Sequence, residues 1–524
     1  MRKLSLKIVS ALLCLALLFG VAAPAVFSLD TAHLTDVPMI YIRGQGLDLG
    51  IKQADGKWDK VYPLTVPNGF VRSMLTADKI KNFIKCYYTN NYDWFCDALY
   101  EDLKPIFADF KLDSNGEAAN GSTVISDWHK TLTKTTVNGK YPVDKFAFTY
   151  DFRLDPYEVA DELNEYIEAV CELTGHEKVA VLGRCLGANE ILAYIDKYGN
   201  DRFSDIVLYA SALEGCIEVS HLFNGDVYVD NNGTVRFVDD YDINKYINDE
   251  QITEFIRAFL HTYNAVGGVK LALNEVNRVY KIVCDNVVPR ILRDSYGTMP
   301  GYWAMVEDSC YDSAKKLVFG GVESEWSGLI EKLDNYHNNV ALKSEQILKQ
   351  CADDGINIYN IEKYGFAVFP VVKNTEMVCD STVDLSLASE GATTAQSFNK
   401  PFGKDYMANA EKNGTAKYIS PDRLVDASTC MFPDTTWFVK NLRHKTFPDS
   451  MNALVCEMIN AEGTFTVFDS ESWPQYMVFD EESQTASPMT EENCNTTDRW
   501  KVNFFKNLII VFKNIGYVLK KLFG

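Results

Sequence analysis

Cys185 lies in the stretch VAVLGRCLGAN, residues 179–189, between Gly183 and Gly187. The spacing G-x-C-x-G is that of a nucleophile elbow, a sharp strand-to-helix turn whose middle residue is usually serine. A strained, closely packed backbone needs small residues on either side of that position. The turn also puts the side chain at a helix N-terminus, where the dipole lowers a thiol's pKa and favours a developing anion. A thiolate held in this way attacks acyl carbon when a base and an orienting acid lie beside it. Seven histidines can supply the base: His33, His129 and His176 before Cys185, then His221, His261, His337 and His444 after it. No C-x-x-C pair and no Cys/His ligand spacing occurs, so there is no zinc signature and no metal or cofactor is expected.

An elbow needs a strand before it and a helix after it. The apolar run at 178–183 predicts the strand, and residues 188–198 predict the helix. Further strands are expected at 37–46, 145–156 and 205–211, with a helical region at about 77–110 and turns near Asn115-Gly116 and Asn120-Gly121. Pro156 opens a helix whose Val159, Leu163, Ile167, Val170 and Leu173 recur every three or four positions, and Gly175 ends it as a C-cap. Alternation of apolar strands with amphipathic helices predicts an α/β fold, a mainly parallel sheet flanked by helices. From 215 to 354 the strand pattern gives way to long helical stretches with scattered aromatics, which reads as a helical cap insertion. Strands are expected again at 365–372, within 376–394 and at 435–447, followed by a loop-rich stretch to 495.

The chain has 524 residues, 47% of them hydrophobic and 23% charged, which is ample for a large core. Its net charge of -21 argues against nucleic acid as a partner, because phosphate binding needs a basic face. The first residues carry Arg2, Lys3 and Lys7, then an apolar run at 8–21, then Ala23-Pro24-Ala25 or Val26-Phe27-Ser28 as a cleavage site. That is the pattern of a secretory signal, and the expected location is secreted or extracellular. Cys14 belongs to the signal. Twelve cysteines remain; export permits disulfides, but the sequence yields no pairing.

The segments YDFRLDP, TGHEKVAVLGRCLGANEILAYI and DIVLYASALEG, taken in order, resemble the lecithin:cholesterol acyltransferase branch of the α/β-hydrolases. The match runs over about 37–220 and 365–447 and leaves the middle insertion unmatched. Two departures stand out: the nucleophile is cysteine rather than serine, and Arg184 replaces the common histidine. Cysteine here is also similar to dienelactone hydrolases and polyhydroxyalkanoate synthases, over the elbow alone. The resemblance implies an α/β-hydrolase fold with the chain order nucleophile, acid, histidine. Of the seven histidines only His444 follows the returning strands, which implies that it is the base. VCDSTVD resembles the family's segment after a late strand, so Asp380 is implied as the acid, with Asp384 as runner-up and Asp434 third. The oxyanion hole would use the backbone N–H of Leu186 and one from the loop after the first strand, with Gln45 aligned to the family's donor beside Gly44. Asp151 and Arg153 are expected to form a structural ion pair.

The resulting divisions are a signal peptide at 1–28, a hydrolase core at 29–214 and 355–495, a cap at 215–354, and a basic amphipathic helix at 496–524. That last segment holds five lysines and no acid from Lys501 onward, with Lys506, Lys513 and Lys520 seven apart. Lysines in mid-segment argue against a transmembrane span. The helix either lies in a membrane interface or docks on the protein's own core or a partner. The expected function is cleavage or transfer of acyl ester, lipid-like groups through Cys185, His444 and Asp380. The Ser-to-Cys and His-to-Arg departures motivate the alternative, a catalytically inactive binding or cell-surface protein on a hydrolase scaffold.

Overall fold

Most central strands form on short apolar runs. In a computed structural model that describes residues 32–45, 47–65, 76–241, 249–494 and 503–523, eight strands make one sheet. They are β1 (Met39–Ile42), β2 (Phe146–Phe148), β3 (Val179–Arg184), β4 (Phe203–Tyr209), β5 (Asn357–Tyr364), β6 (Thr436–Lys440), β7 (Tyr476–Asp480) and β8 (Thr485–Pro488). Across the sheet the order is β8-β7-β6-β5-β4-β3-β1-β2. Every neighbouring pair is parallel except β7 with β8. The chain reverses direction across the sheet between β1 and β3, and such a switch point is where open α/β sheets bind their ligands.

Helices cover both faces. On one side lie α1 (Pro156–Thr174) and α2 (Leu186–Tyr198); further along come α3 (Glu250–Ala265), α4 (Asp449–Asn460) and α5 (Phe504–Phe523). Helix α1 starts where the Asp155 side chain accepts from the Tyr157 amide and Pro156 takes the first turn, and it stops at Gly175 with φ +80°. Val159, Leu163, Ile167 and Val170 pack against Ile40, Phe146, Val181 and Leu208 of the sheet. The alternate residues Met39, Leu182, Val207 and Ile361 turn to the opposite face and meet Met451, Leu454 and Val455 of α4. The fold is α/β, a large mainly parallel sheet flanked by helices. Between 215 and 354 the described residues contain helices and no strand.

Several expectations are corrected here. No strand occupies 365–372; the strand lies just before it, as β5. Its sequence, NIYNIEKY, is rich in polar residues, yet all but the first residue is buried. Within 376–394 the chain is mostly turns, and the only strand is Thr393–Thr394, paired with Val425–Asp426. The strand expected over 435–447 ends at Lys440 and the rest is loop. The stretch before 495 holds α4, β7 and β8 rather than loops alone. The signal segment at 1–28 lies outside the described residues.

Candidate active site

Cys185 leaves β3 with φ +53° and ψ -124°, a conformation that costs a non-glycine residue strain and aims its side chain above the sheet. Its amide donates to the Tyr209 carbonyl at 3.1 Å, which anchors the turn to β4. The flanking glycines are needed for clearance. A Cβ on Gly183 would stand 2.7 Å from Ile191 Cδ1, and one on Gly187 would overlap the Ile42 carbonyl. A Cβ on Gly44 would stand 2.8 Å from Cys185 Cβ and 3.2 Å from the Leu186 nitrogen. The loop after β1 therefore passes directly over the Cys185–Leu186 peptide and carries Gln45 next in line. Leu186 opens α2, so its N–H has no partner within the helix and points to the thiol, to which it hydrogen-bonds.

His444 follows β6, and Asp380 follows β5. The His444 Nδ1 and Asp380 Oδ2 are 2.6 Å apart, both deeply buried. Asp380 Oδ1 accepts the amides of Thr382 at 3.0 Å and Val383 at 2.9 Å, so the carboxylate is fixed from both ends. His444 hydrogen-bonds in turn to Cys185. Burial pushes the thiol up, but His444, the Leu186 N–H and Arg184 together hold Cys185 below its usual value. Burial pushes the imidazole down, and the charges of Asp380 and Cys185 overcome it, raising His444 to about 9. The two shifts together favour a thiolate–imidazolium pair, whose titration belongs to both groups.

The other two acids sit elsewhere. Asp384 caps the short helix Leu385–Ala388, accepting from the Ser386 amide at 2.8 Å. Asp434 is exposed and accepts from the Tyr418 hydroxyl. Asp151 and Arg153 form a buried ion pair, and the same guanidinium donates to the carbonyls of Phe110 at 2.7 Å and Ser122 at 3.1 Å. It ties the chain after β2 to two separate segments, a structural role.

Arg184 neither points at the thiol nor faces solvent freely. It runs beneath the His444 loop, donating to the Tyr41 hydroxyl at 3.4 Å and the His444 carbonyl at 3.3 Å. It is joined there by a second basic residue, which no local pattern in the sequence marks. Lys363 of β5 is buried, and its Nζ donates to the carbonyls of Arg443 (3.2 Å), His444 (2.6 Å) and Thr446 (3.1 Å). Burial and the nearby Arg184 push its pKa down, whereas three carbonyls want the three N–H donors that only the ammonium has. Tyr209 adds a fifth bond to this loop, its hydroxyl donating to the Thr446 carbonyl at 2.8 Å. Phe447 closes the loop by stacking on Tyr41 and meeting Tyr209 edge-on. Two buried tyrosines hold the opposite loop: Tyr150 donates to the Arg43 carbonyl at 2.5 Å, and Tyr302 of the insertion donates to Gln45 Oε1.

With Lys363 replaced by methionine the loop keeps its volume but loses its donors. Displacement of a reacting group by about 1 Å costs on the order of 100-fold. Lys363→Met is expected to lower kcat by roughly 10–100-fold with KM nearly unchanged, and steady-state kinetics on a soluble ester check it. A change confined to thermal stability would contradict the positioning role.

The twelve described cysteines are all free thiols. Burial pushes Cys216, Cys379 and Cys430 up, the last to about 12. Cys185 is the exception, so iodoacetamide at neutral pH is expected to alkylate it ahead of these three. Its rate should fall as pH drops through the lowered thiol pKa, because the reactive thiolate exists only above it. Proton donation by His444 should fail in the other direction, as pH rises through about 9. Peptide mapping against pH measures the first limb, and single-turnover ester cleavage measures the second.

Neither a family model nor a curated protein matches the chain. Among solved structures, one titled "The crystal structure of Tle4-Tli4 complex" aligns over 63% of this chain and 75% of that chain, at 10% identity and a TM-score of 0.26. A likeness so slight bears on neither fold nor function.

Proposed function

We propose that the protein is an α/β-hydrolase-type enzyme, similar to the lecithin:cholesterol acyltransferase branch, that cleaves or transfers acyl ester groups through Cys185, His444 and Asp380. The insertion at 215–354 acts as its helical cap. The single observation that carries this reading is the unbroken contact from Asp380 through His444 to Cys185, with the thiol raised on a positive-φ turn at the sheet's switch point. The Cys185 thiolate attacks the ester carbonyl carbon, and the carbonyl oxygen takes up the electron pair as an oxyanion. The Leu186 N–H, with a donor from the Gly44–Gln45 loop, stabilises that charge. As the tetrahedral intermediate collapses, the imidazolium of His444 gives its proton to the departing alcohol and a thioester remains on Cys185. Water or a second alcohol then attacks the thioester, His444 accepts its proton, and the thiolate leaves. No cofactor enters any step. Export under the leader at 1–28 would make this a secreted enzyme.

The test is intact-mass analysis after mixing with p-nitrophenyl esters of graded acyl length. A mass gain of one acyl group on the Cys185 peptide, reversed on standing in water, supports the reading. The second reading, a binding protein without catalysis, draws on the burial of Cys185, which is 6% exposed. A thiol that takes up neither acyl group nor iodoacetamide would decide for it.

A further inference from the structure

Helix α5 packs a mixed face inward, with Leu508, Ile510 and Val511 half-buried, and leaves a second set of large apolar side chains in the open. Against α3 it buries Asn514 and Val518. Asn514 donates to Glu254 Oε2 at 3.1 Å, the Tyr517 hydroxyl donates to Asp249 Oδ2 at 2.8 Å, and Lys521 reaches the same carboxylate. These contacts fix which face is turned away. On that face Phe505 is 74% exposed, Ile509 67% and Phe512 70%, with Ile515 and Leu519 continuing the line. At 3.6 residues per turn these positions form one stripe along the helix, about 20 Å long. A helix stabilised only by docking on its own protein would not carry a second apolar stripe in the open.

Lysines flank the stripe. Lys506, Lys513 and Lys520 each come one residue after Phe505, Phe512 and Leu519, so they run down one edge of the apolar face, and all three are exposed. Residues 504–523 include no acid, in a chain of net charge -21. An apolar stripe bordered by cations on a helix parallel to the protein surface matches the boundary between acyl chains and anionic headgroups. A second copy seated on this same face would instead bring the same lysines. Among the described residues no helix is long and apolar enough to cross a membrane, which agrees with a helix that lies in the interface.

We propose that the outward face of α5 docks the protein on bilayers containing anionic lipid. This inference does not depend on the chemistry of Cys185. Flotation of the full chain with phosphatidylcholine vesicles, with and without phosphatidylglycerol, tests it. The wild type is expected to float with the mixed vesicles and to be released by salt. An Ile509→Asp, Phe512→Asp double variant should stay behind with unchanged thermal melting, since both positions are exposed. A Lys506→Gln, Lys513→Gln, Lys520→Gln variant keeps the apolar stripe and should lose on the order of 100-fold in preference for the anionic vesicles. Equal flotation of the wild type and the double variant would overturn the proposal. So would an unbound wild type that forms a dimer in size exclusion which the double variant breaks, because the stripe would then belong to a second copy.

Discussion

Changing Cys185 to alanine is expected to lower ester turnover by roughly 10⁴–10⁶-fold, to the level left by binding and oxyanion donors alone. The size of the effect follows from what the thiol does. It forms the covalent bond, and its negative charge is one of the two that hold His444 near 9. Without it the imidazole loses a charge partner as well as the thiol that supplies its proton. The fold should survive, because alanine keeps the backbone of the turn and removes one sulfur atom. Burst kinetics with a chromogenic ester give the turnover, and thermal melting reports the fold. Retention of more than about a hundredth of wild-type turnover would sink the assignment of the nucleophile.

Asp380→Asn is expected to cost about 10⁴-fold in kcat. Asparagine's oxygen can still accept from Thr382 and Val383, so the turn stays intact. Its NH₂ group then faces His444 Nδ1, which must accept a hydrogen bond where it formerly donated one. The ring's proton moves to Nε2, the nitrogen that has to take protons from the attacking group. Removing the carboxylate also removes the strongest influence raising His444, so the alkaline limb of the rate profile should move below 9. Serial pH profiles of the variant and the wild type separate this outcome from simple misfolding, which would lower the rate at every pH alike.

The elements around the elbow were legible because both kinds of local signal agree there. Strand β3 is apolar up to Gly183, α1 has a regular 3.6-residue stripe, and the glycines fall where a Cβ would collide. The same agreement leads to the turn that presents Cys185. His444 and Asp380 came only through a resemblance, since nothing local distinguishes a histidine between Arg443 and Lys445. Their contact depends on two loops brought together by β5 and β6, strands adjacent in the sheet but distant in sequence. The support beneath them was illegible for a different reason. Lys363 and Glu362 give β5 the look of a surface segment, and the apolar run that follows attracted the strand assignment instead. Burial reverses the usual inference: these polar groups are interior because each finds partners supplied by another part of the chain.

β5 carries a further consequence in its alternation. Asn360 and Glu362 turn to one face, where they bond Ala388 and Ser211, while Lys363 turns to the other, beneath three carbonyl oxygens. A one-residue slip in pairing exchanges the faces of a strand. It would put the Glu362 carboxyl against those oxygens and bury the Lys363 ammonium where an acid belongs. An all-aliphatic strand between β4 and β6 could shift in this way at little penalty. Here the shifted pairing would part Glu362 and Lys363 from their partners at once, so the polar residues of β5 fix its alignment and, with it, the seat of the His444 loop.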